Sequence, residues 1–243
     1  MPGFSYSWQD AVTLVGKMVK SIPTSTLDAQ VCDMVSGEIY HFRPWSWTIT
    51  SGTVCTPTDG NQEFSGPAQL YRLVRARWRR TDTTPDQYIE LNARQSLPPD
   101  LITRSYNSIS AISYEEGIGL IRLGSAVQIP TETTLAVEGE WQTVPTKITA
   151  TSQQLFFPDQ YIAVACEGLL YWYYKLADDP RAGGKAVGAS EQTVYSGQYA
   201  NFVAAMMDMA KAEDYPALDN MFPDEPFGIG GRYSGTPNIF GVM

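Results

Sequence analysis

The chain holds one histidine, three cysteines and 17 basic side chains among 243 residues, and it has no long apolar run. Each shortage closes off a class of function. With His41 the sole imidazole, any Ser-His-Asp or Cys-His device would have to use it. It lies between Tyr40 and Phe42 in an apolar-periodic segment, where packing or capping suits it better. Cys32, Cys55 and Cys166 are odd in number and lack CxxC spacing, which argues against a disulfide framework and against a zinc knuckle. Reduced thiols point to synthesis in a cytoplasm. The 26 acidic groups outweigh the basic ones and leave a formal net charge of -9, which makes the chain a poor general binder of nucleic acid backbones. The most apolar stretch, Tyr161 to Leu176, is short, broken by Glu167 and rich in Tyr, so it is not read as a membrane span. Met1-Pro2-Gly3-Phe4 shows no basic segment followed by an apolar one, so no secretion signal is expected. HExxH, the phosphate-binding loop and GxGxxG are all missing, and Gly117-Ile118-Gly119 reads as a turn.

What is present is globular. Apolar residues make up 43% and charged residues 18%, and the six Trp, nine Phe and fourteen Tyr are too many rings to leave in water. A chain of this size can bury about 70% of its unfolded surface. Ser7 and Asp10 form a capping signature, followed by a stripe of Ala11, Leu14, Val15, Met18, Val19 and Ile22 that ends at Pro23. Ser25 and Asp28 repeat the spacing ahead of Leu27, Val31, Met34, Val35, Ile39 and Phe42, and Pro44 stops that helix. From Thr48 to Thr151 the period shortens, with Thr, Val and Ile alternating with polar groups. Strands are expected at 47–53, 69–79, 87–91, 109–113, 118–123, 135–137 and 141–148, as a sandwich or small barrel. Helical spacing returns with Tyr161, Val164, Ala165, Gly168, Leu169, Trp172, Tyr173 and Leu176. A last helix is expected from a Ser190 cap, with Tyr195, Tyr199, Phe202, Val203, Met206 and Met209 as its stripe. The fold class is therefore α+β. Residues 1–47 and 156–215 should form one helical bundle, residues 48–155 an antiparallel β domain, and residues 216–243 an extended C-terminal tail. The tail interleaves Pro and Gly with Phe222, Phe227, Tyr233, Ile239, Phe240 and Val242, which suits a partner surface.

The residues with chemical potential read as structural. Glu115-Glu116 are expected before a glycine in one hairpin, and Glu138 and Glu140 flank Gly139 in another; a retaining glycosidase would need two carboxyls roughly 5 Å apart in a cleft. Asp178-Asp179 reads as a helix end, with no calcium-loop spacing after it. Arg75, Arg77 and Arg79 share one face of a strand. The sharper reading of the row is a phosphate contact. The favoured one pairs it with acids of a neighbouring strand or subunit, so these three arginines are assigned to subunit contact. Trp45 and Trp47 could stack on a sugar, but two Trp at a helix-to-strand junction more often wedge one layer against another, and they are read as a structural junction. No catalytic residue, cofactor or metal is expected.

The order of features carries more than any one of them. A helix pair ends in Pro44-Trp45-Ser46-Trp47. A β region follows with Tyr88 and Leu97-Pro98-Pro99-Asp100-Leu101, then Arg104. A helix opens at Phe157-Pro158-Asp159-Gln160-Tyr161 and runs through Gly168 to Tyr171-Trp172-Tyr173, and a second helix follows a loop. Over residues 7–215 this pattern resembles the head-to-tail adaptor proteins of tailed bacteriophages, especially the tubular adaptors of short-tailed phages. The resemblance implies a structural virion protein of the neck between capsid and tail, not an enzyme. It implies a homo-oligomeric ring, usually of twelve copies, docked on the portal protein, extending the DNA channel and offering a platform to the downstream tail protein. DNA would pass through without specific binding, and no membrane is involved. On that reading Phe227, Tyr233, Ile239, Phe240 and Val242 bind the portal or an adjacent subunit. The alternative is a β-domain module that binds carbohydrate or another tail component.

Overall fold

The computed structural model describes residues 3–19, 22–58, 61–80, 87–94, 111–115, 119–123, 135–187 and 193–213. They fall into two compact units, one within Met1–Thr48 and Pro145–Tyr215 and the other within Ile49–Val144. The class is α+β, with helices in the first unit and a largely antiparallel sheet in the second.

Helix α1 spans Trp8–Met18, and its start is dictated by Ser7. The Ser7 hydroxyl accepts from the Asp10 amide at 3.3 Å while the Asp10 carboxylate accepts from the Ser7 amide at 2.8 Å, so two N-terminal donors are satisfied reciprocally. Helix α2 spans Ala29–Phe42, and Asp28 caps it by accepting from the amides of Gln30 and Val31, both at 3.0 Å. Helix α3 spans Ile162–Leu176 after a short 3-10 turn at Asp159–Tyr161, and helix α4 spans Gly197–Ala212. All four contribute to one apolar core, with Trp8, Val15, Val35, Ile39, Phe157, Leu169 and Phe202 at its centre. Helix α3 is buried on most of its circumference, from Val164 to Tyr174, as suits a helix surrounded by others.

The helical stripes differ from the sequence reading in detail. On α1 the buried residues are Trp8, Ala11, Val12 and Val15, whereas Leu14 and Met18 face solvent. The core thus lies about one residue round the helix from the expected stripe, because Trp8 supplies the large anchor. Leu176 is exposed at the end of α3. The last helix begins at Gly197; Tyr195 belongs to a strand before it, and Ser190 lies outside the described residues. That strand, β9 (Thr193–Ser196), pairs antiparallel with β8 (Gly184–Val187) in a hairpin that periodicity did not announce. Gly183 and Gly197, both at positive φ, let the hairpin's base close tightly; a Cβ on Gly183 would lie 2.0 Å from the Ser196 carbonyl oxygen.

Residues 145–155 join the helical unit, although the sequence reading placed them with the strands. The Trp8 and Gln9 amides donate to the carbonyls of Gln153 and Thr151, and the Leu155 amide donates to that of Tyr6. Asp159 fastens the N-terminal segment further: its carboxylate accepts from the Ser5 amide at 2.8 Å, the Tyr6 amide at 2.9 Å and the Ser5 hydroxyl at 2.6 Å. Those bonds, the Ser5 hydroxyl foremost, hold the Asp159 carboxyl below its ordinary pKa.

The second unit contains β1 (Ile49–Cys55), β2 (Glu63–Ser65), β3 (Leu70–Arg80), β4 (Gln87–Arg94), β5 (Ala111–Glu115), β6 (Leu120–Leu123) and β7 (Leu135–Thr143). They form one seven-stranded sheet in the order β1-β7-β3-β4-β5-β6-β2. The β4–β5 pairing is parallel, which the antiparallel expectation missed. The segment expected at 135–137 and the first three residues of the one expected at 141–148 are one continuous strand, with Glu138 to Glu140 bridging them, and it ends at Thr143 instead of reaching residue 148. One face of the sheet gathers Val54, Leu73, Ala76, Ile112, Ile121, Leu123, Val137 and Trp141 into a separate core. Tyr114 reaches across it to donate to the Leu70 carbonyl at 2.6 Å. Gly139 is obligatory here, since a Cβ would meet both the Arg75 carbonyl oxygen and Val54 at 2.6 Å.

In the helical unit the close contact is Gly168, where a Cβ would fall 2.5 Å from Val35 and 2.9 Å from Phe202. Gly168→Ala should therefore destabilise the unit by roughly 1–3 kcal/mol through overpacking. That outweighs the ~1 kcal/mol by which Ala exceeds Gly in helix propensity. Thermal unfolding followed by circular dichroism checks this, with a lower midpoint expected; an unchanged or higher midpoint would mean that Val35 and Phe202 yield freely.

Candidate functional site

Two polar constellations and one aromatic one stand out. The first is the outward face of the sheet. Arg75, Arg77 and Arg79 alternate along β3 and stand opposite Glu140, Glu138 and Ala136 of β7, while Glu90 of β4 is Arg77's partner on the other side. The strand's period of two puts all the charged groups on one side, and the antiparallel register sets positive beside negative. Glu138 accepts from Arg77 at 3.0 Å and from Arg79 at 3.1 Å, one carboxylate oxygen each. These arginines thus find acids on a neighbouring strand of their own chain. The side chains of Arg77 and Arg79 remain 46% and 38% exposed, so the pairs stay open to water and salt, and each is worth little alone.

The second constellation is the junction after α2. Phe42, Trp45, Trp47 and Tyr161 stack in sequence, with ring centroids 6.2, 5.4 and 6.1 Å apart and interplanar angles of 15°, 7° and 28°. Trp45 is 1% exposed, and its indole donates to the Ile39 carbonyl at 2.7 Å, closing the end of α2. The Arg43 guanidinium sits 5.6 Å over the Trp45 ring and donates to the Ala210 carbonyl at 3.0 Å near the end of α4. Glu213 completes the arrangement: one oxygen accepts from Tyr161 at 2.8 Å and the other from Ser46 at 3.0 Å. Burial and the Glu213 bond push the Tyr161 phenol above its ordinary pKa. Chemically the cluster is a clasp. It ties the last described turn, just before residues 214–243, to the helix-to-strand junction. Nothing in the sequence spacing joins Ser46, Tyr161 and Glu213, and only the fold brings them together.

The third lies between α2, α3 and α4. Glu38 is half-buried near Lys175 and Trp172, and the Lys175 ammonium lies 4.1 Å from the Trp172 ring and 5.2 Å from the Tyr171 ring. Desolvation raises the Glu38 pKa, against the pull of Lys175 and the Trp172 indole. Burial, with Glu38 close by, pushes the Tyr199 phenol up to about 12. This cluster escaped the sequence reading because Glu38 sits on an apolar stripe with no motif around it.

The remaining candidates are held in structural bonds or lie beyond description. His41 is exposed at the last turn of α2, edge-on to Tyr40 at 6.2 Å. Asp179 caps the short turn at Pro180–Ala182 and grips Arg181 at 2.6 Å, which draws its pKa down to about 2. Glu63 is paired with Arg122 at 2.9 Å. The Glu115 side chain and all of Glu116 lie outside the described residues, as do the Tyr88 side chain, residues 97–104, and Phe227, Tyr233, Ile239, Phe240 and Val242. Cys32, Cys55 and Cys166 are free and buried, with burial pushing their thiols up to about 12, 12 and 11. Among the described residues no group of His, Cys, Asp or Glu is arranged to hold a metal ion, and no helix is long and apolar enough to cross a membrane. No protein-family model and no curated protein matches the chain.

Two outcomes follow. A carboxyl whose folded pKa is raised favours folding when protonated, so Glu38 costs stability as pH rises from about its ordinary 4.5 through the folded value. Glu38→Gln should therefore melt higher than the parent at pH 7, with the gap shrinking towards pH 4.5; calorimetry at both pH values checks it, and an equal gap at the two would refute it. The three thiols should resist aromatic disulfide reagents at pH 8 in the native protein and react fully in denaturant.

Proposed function

We propose that this chain is a structural protein of a phage neck: a head-to-tail adaptor whose copies assemble into a ring on a portal, extend the DNA channel and offer a platform to the next tail component. The observation that carries the reading is the clasp. The helices before and after the β insertion share one core, and Arg43, Ser46, Tyr161 and Glu213 fix the point from which residues 214–243 depart. That is the construction of a part that presents a segment to a neighbour from a rigid base. Glu138, one of the carboxyls that a glycosidase would need free, is held by two arginines.

Net charge supports the same reading. Residues 151–243 hold five basic and eleven acidic groups. A duct walled by such a surface repels phosphates and lets DNA slide without sticking. The apolar residues Phe227, Tyr233, Ile239, Phe240 and Val242 supply what the charged surface lacks, since each buried ring or branched side chain contributes on the order of 1.5–3 kcal/mol before ordering costs. The Arg75–Arg79 row, already half-matched by Glu138, presents alternating columns of positive and negative charge suited to lateral contact between copies.

Electron microscopy of the purified protein with and without a portal tests the reading directly, and a closed ring is expected. Removing residues 217–243 should leave melting unchanged and abolish portal docking; normal docking by the truncated chain would remove the role of the tail. Reversing Arg75 and Arg77 to Glu should weaken the ring while sparing the fold, with the loss steepest in dilute protein on sedimentation. Unchanged sedimentation would assign those arginines to contacts within their own chain.

A further inference from the structure

The seven-stranded sheet has two outer strands, and they are treated differently. β2 is three residues long, and its Glu63 is tied to Arg122 of β6 at 2.9 Å. Shortness and charge are two of the devices by which proteins blunt a sheet edge. β1, at the other side, has seven residues and neither a charge nor a proline from Ile49 to Cys55. Thr50, Ser51, Gly52 and Thr53 are all exposed. Ile49 to Thr53 run in unbroken register with Gln142 to Glu138 of β7, and the single irregularity falls beyond them, between Thr53 and Cys55. Among the described residues β7 is the only strand that pairs with β1. One side of this ladder is satisfied and the other offers a row of backbone donors and acceptors.

We propose that β1 is a docking edge, and that its occupant is the segment Asn238–Val242 of a neighbouring copy, which adds to the sheet as an eighth strand. The proposal rests on the reading that copies stand side by side in a ring. Three features select this occupant. Glu138 and Glu140 are the register partners of Thr53 and Ser51, so acids stand one strand away from the open edge. They disfavour an acidic newcomer: residues 214–232 carry Asp214, Asp219, Asp224 and Glu225 against the single base Arg232, a net acidic stretch, whereas residues 233–243 hold no charged side chain. Within that neutral stretch Tyr233 and Thr236 stand before Pro237, which cannot donate to a ladder and so bounds the segment, and Ile239, Phe240 and Val242 are the strand-favouring residues after it. From the clasp at Glu213 to Ile239 the backbone can span up to roughly 85 Å, enough to reach a second molecule. A strand passed from each copy to the next is a heterologous contact, the kind that closes rings, and main-chain pairing would supply affinity while alternate side chains set register.

Single-cysteine exchange in the full chain tests this. The three natural thiols are buried and stay silent. Chains carrying Ser51→Cys are mixed under mild oxidation with chains carrying Asn238→Cys, Ile239→Cys, Phe240→Cys, Gly241→Cys or Val242→Cys. Mixed dimers are expected from alternate tail positions, at least tenfold above the intervening ones, because a strand presents every second side chain to one face. Phe240→Pro added to a reactive chain should cut its yield severalfold. The proposal is overturned by equal yields at all five positions, by no mixed dimer, or by Ser51→Cys chains that join only to each other. It is also overturned if a chain bearing both cysteines closes on itself and separate chains never join. Closed rings in micrographs without any mixed dimer would overturn the docking edge and leave the adaptor reading standing. Mixed dimers without rings would uphold the edge and overturn the adaptor.

Discussion

The close crossing at Gly168 is the constraint on which the helical unit depends. Val35 from the first third of the chain and Phe202 from the last both press against a position with no side chain. The two ends of the polypeptide are therefore one core, and everything between Thr48 and Pro145 is an insertion into it. Such an insertion is tolerated when its own ends are neighbours, because closing the parent unit then costs little chain entropy. That condition is met within the sheet, where Ile49 at its entry is paired with Gln142 near its exit. The helix-to-strand junction carries the matching burden on the other side, with four stacked rings and the Arg43, Ser46 and Glu213 bonds holding α2, α3 and α4 in one place.

Charge is managed by the same economy of neighbours. A row of three arginines on an acidic protein would be a strong local field if left alone. Register puts Glu138 and Glu140 along one flank and Glu90 along the other. What remains is a striped face of modest net charge, sensitive to salt, in place of a phosphate-binding patch. The buried thiols and the engaged carboxylates continue the theme. Among the described residues the reactive groups are largely employed in holding the structure together, while β1 lies at one edge of the sheet and the arginine row stays partly exposed.

Much of the helical framework is written locally. Ser7 with Asp10 fixes where α1 begins, since capping is decided within four residues, whereas for α2 the expected Ser25–Asp28 spacing yields to Asp28 itself as the cap, three residues later. The spacing of Val164, Ala165, Gly168 and Leu169 marks α3 equally well. The stripe on α1 was legible in period but not in phase: Leu14 and Met18 are as apolar as Val12 and Val15, and only the packing around Trp8 chose between them. The hairpin β8–β9 was hidden because four-residue strands carry too few residues to show a period, and its definition depends on two glycines at positive φ. Of the site residues, the arginine row could be read from alternation. The clasp could not, because Ser46, Tyr161 and Glu213 are far apart in sequence and none belongs to a motif.

The sequence by itself determined the class of the fold, the start of the first helix, the acidic balance and the scarcity of imidazole, because these follow from composition and from interactions that reach no farther than one helical turn. Tertiary structure alone decided which carboxylate would meet Arg77 and Arg79, that Asp159 would pin the N-terminal segment, that β4 would lie parallel to β5, and that β1 and β2 would be the two outer strands of the described sheet. Those outcomes depend on strand order and register between distant segments, and a shift of one residue would have turned every side chain to the opposite face.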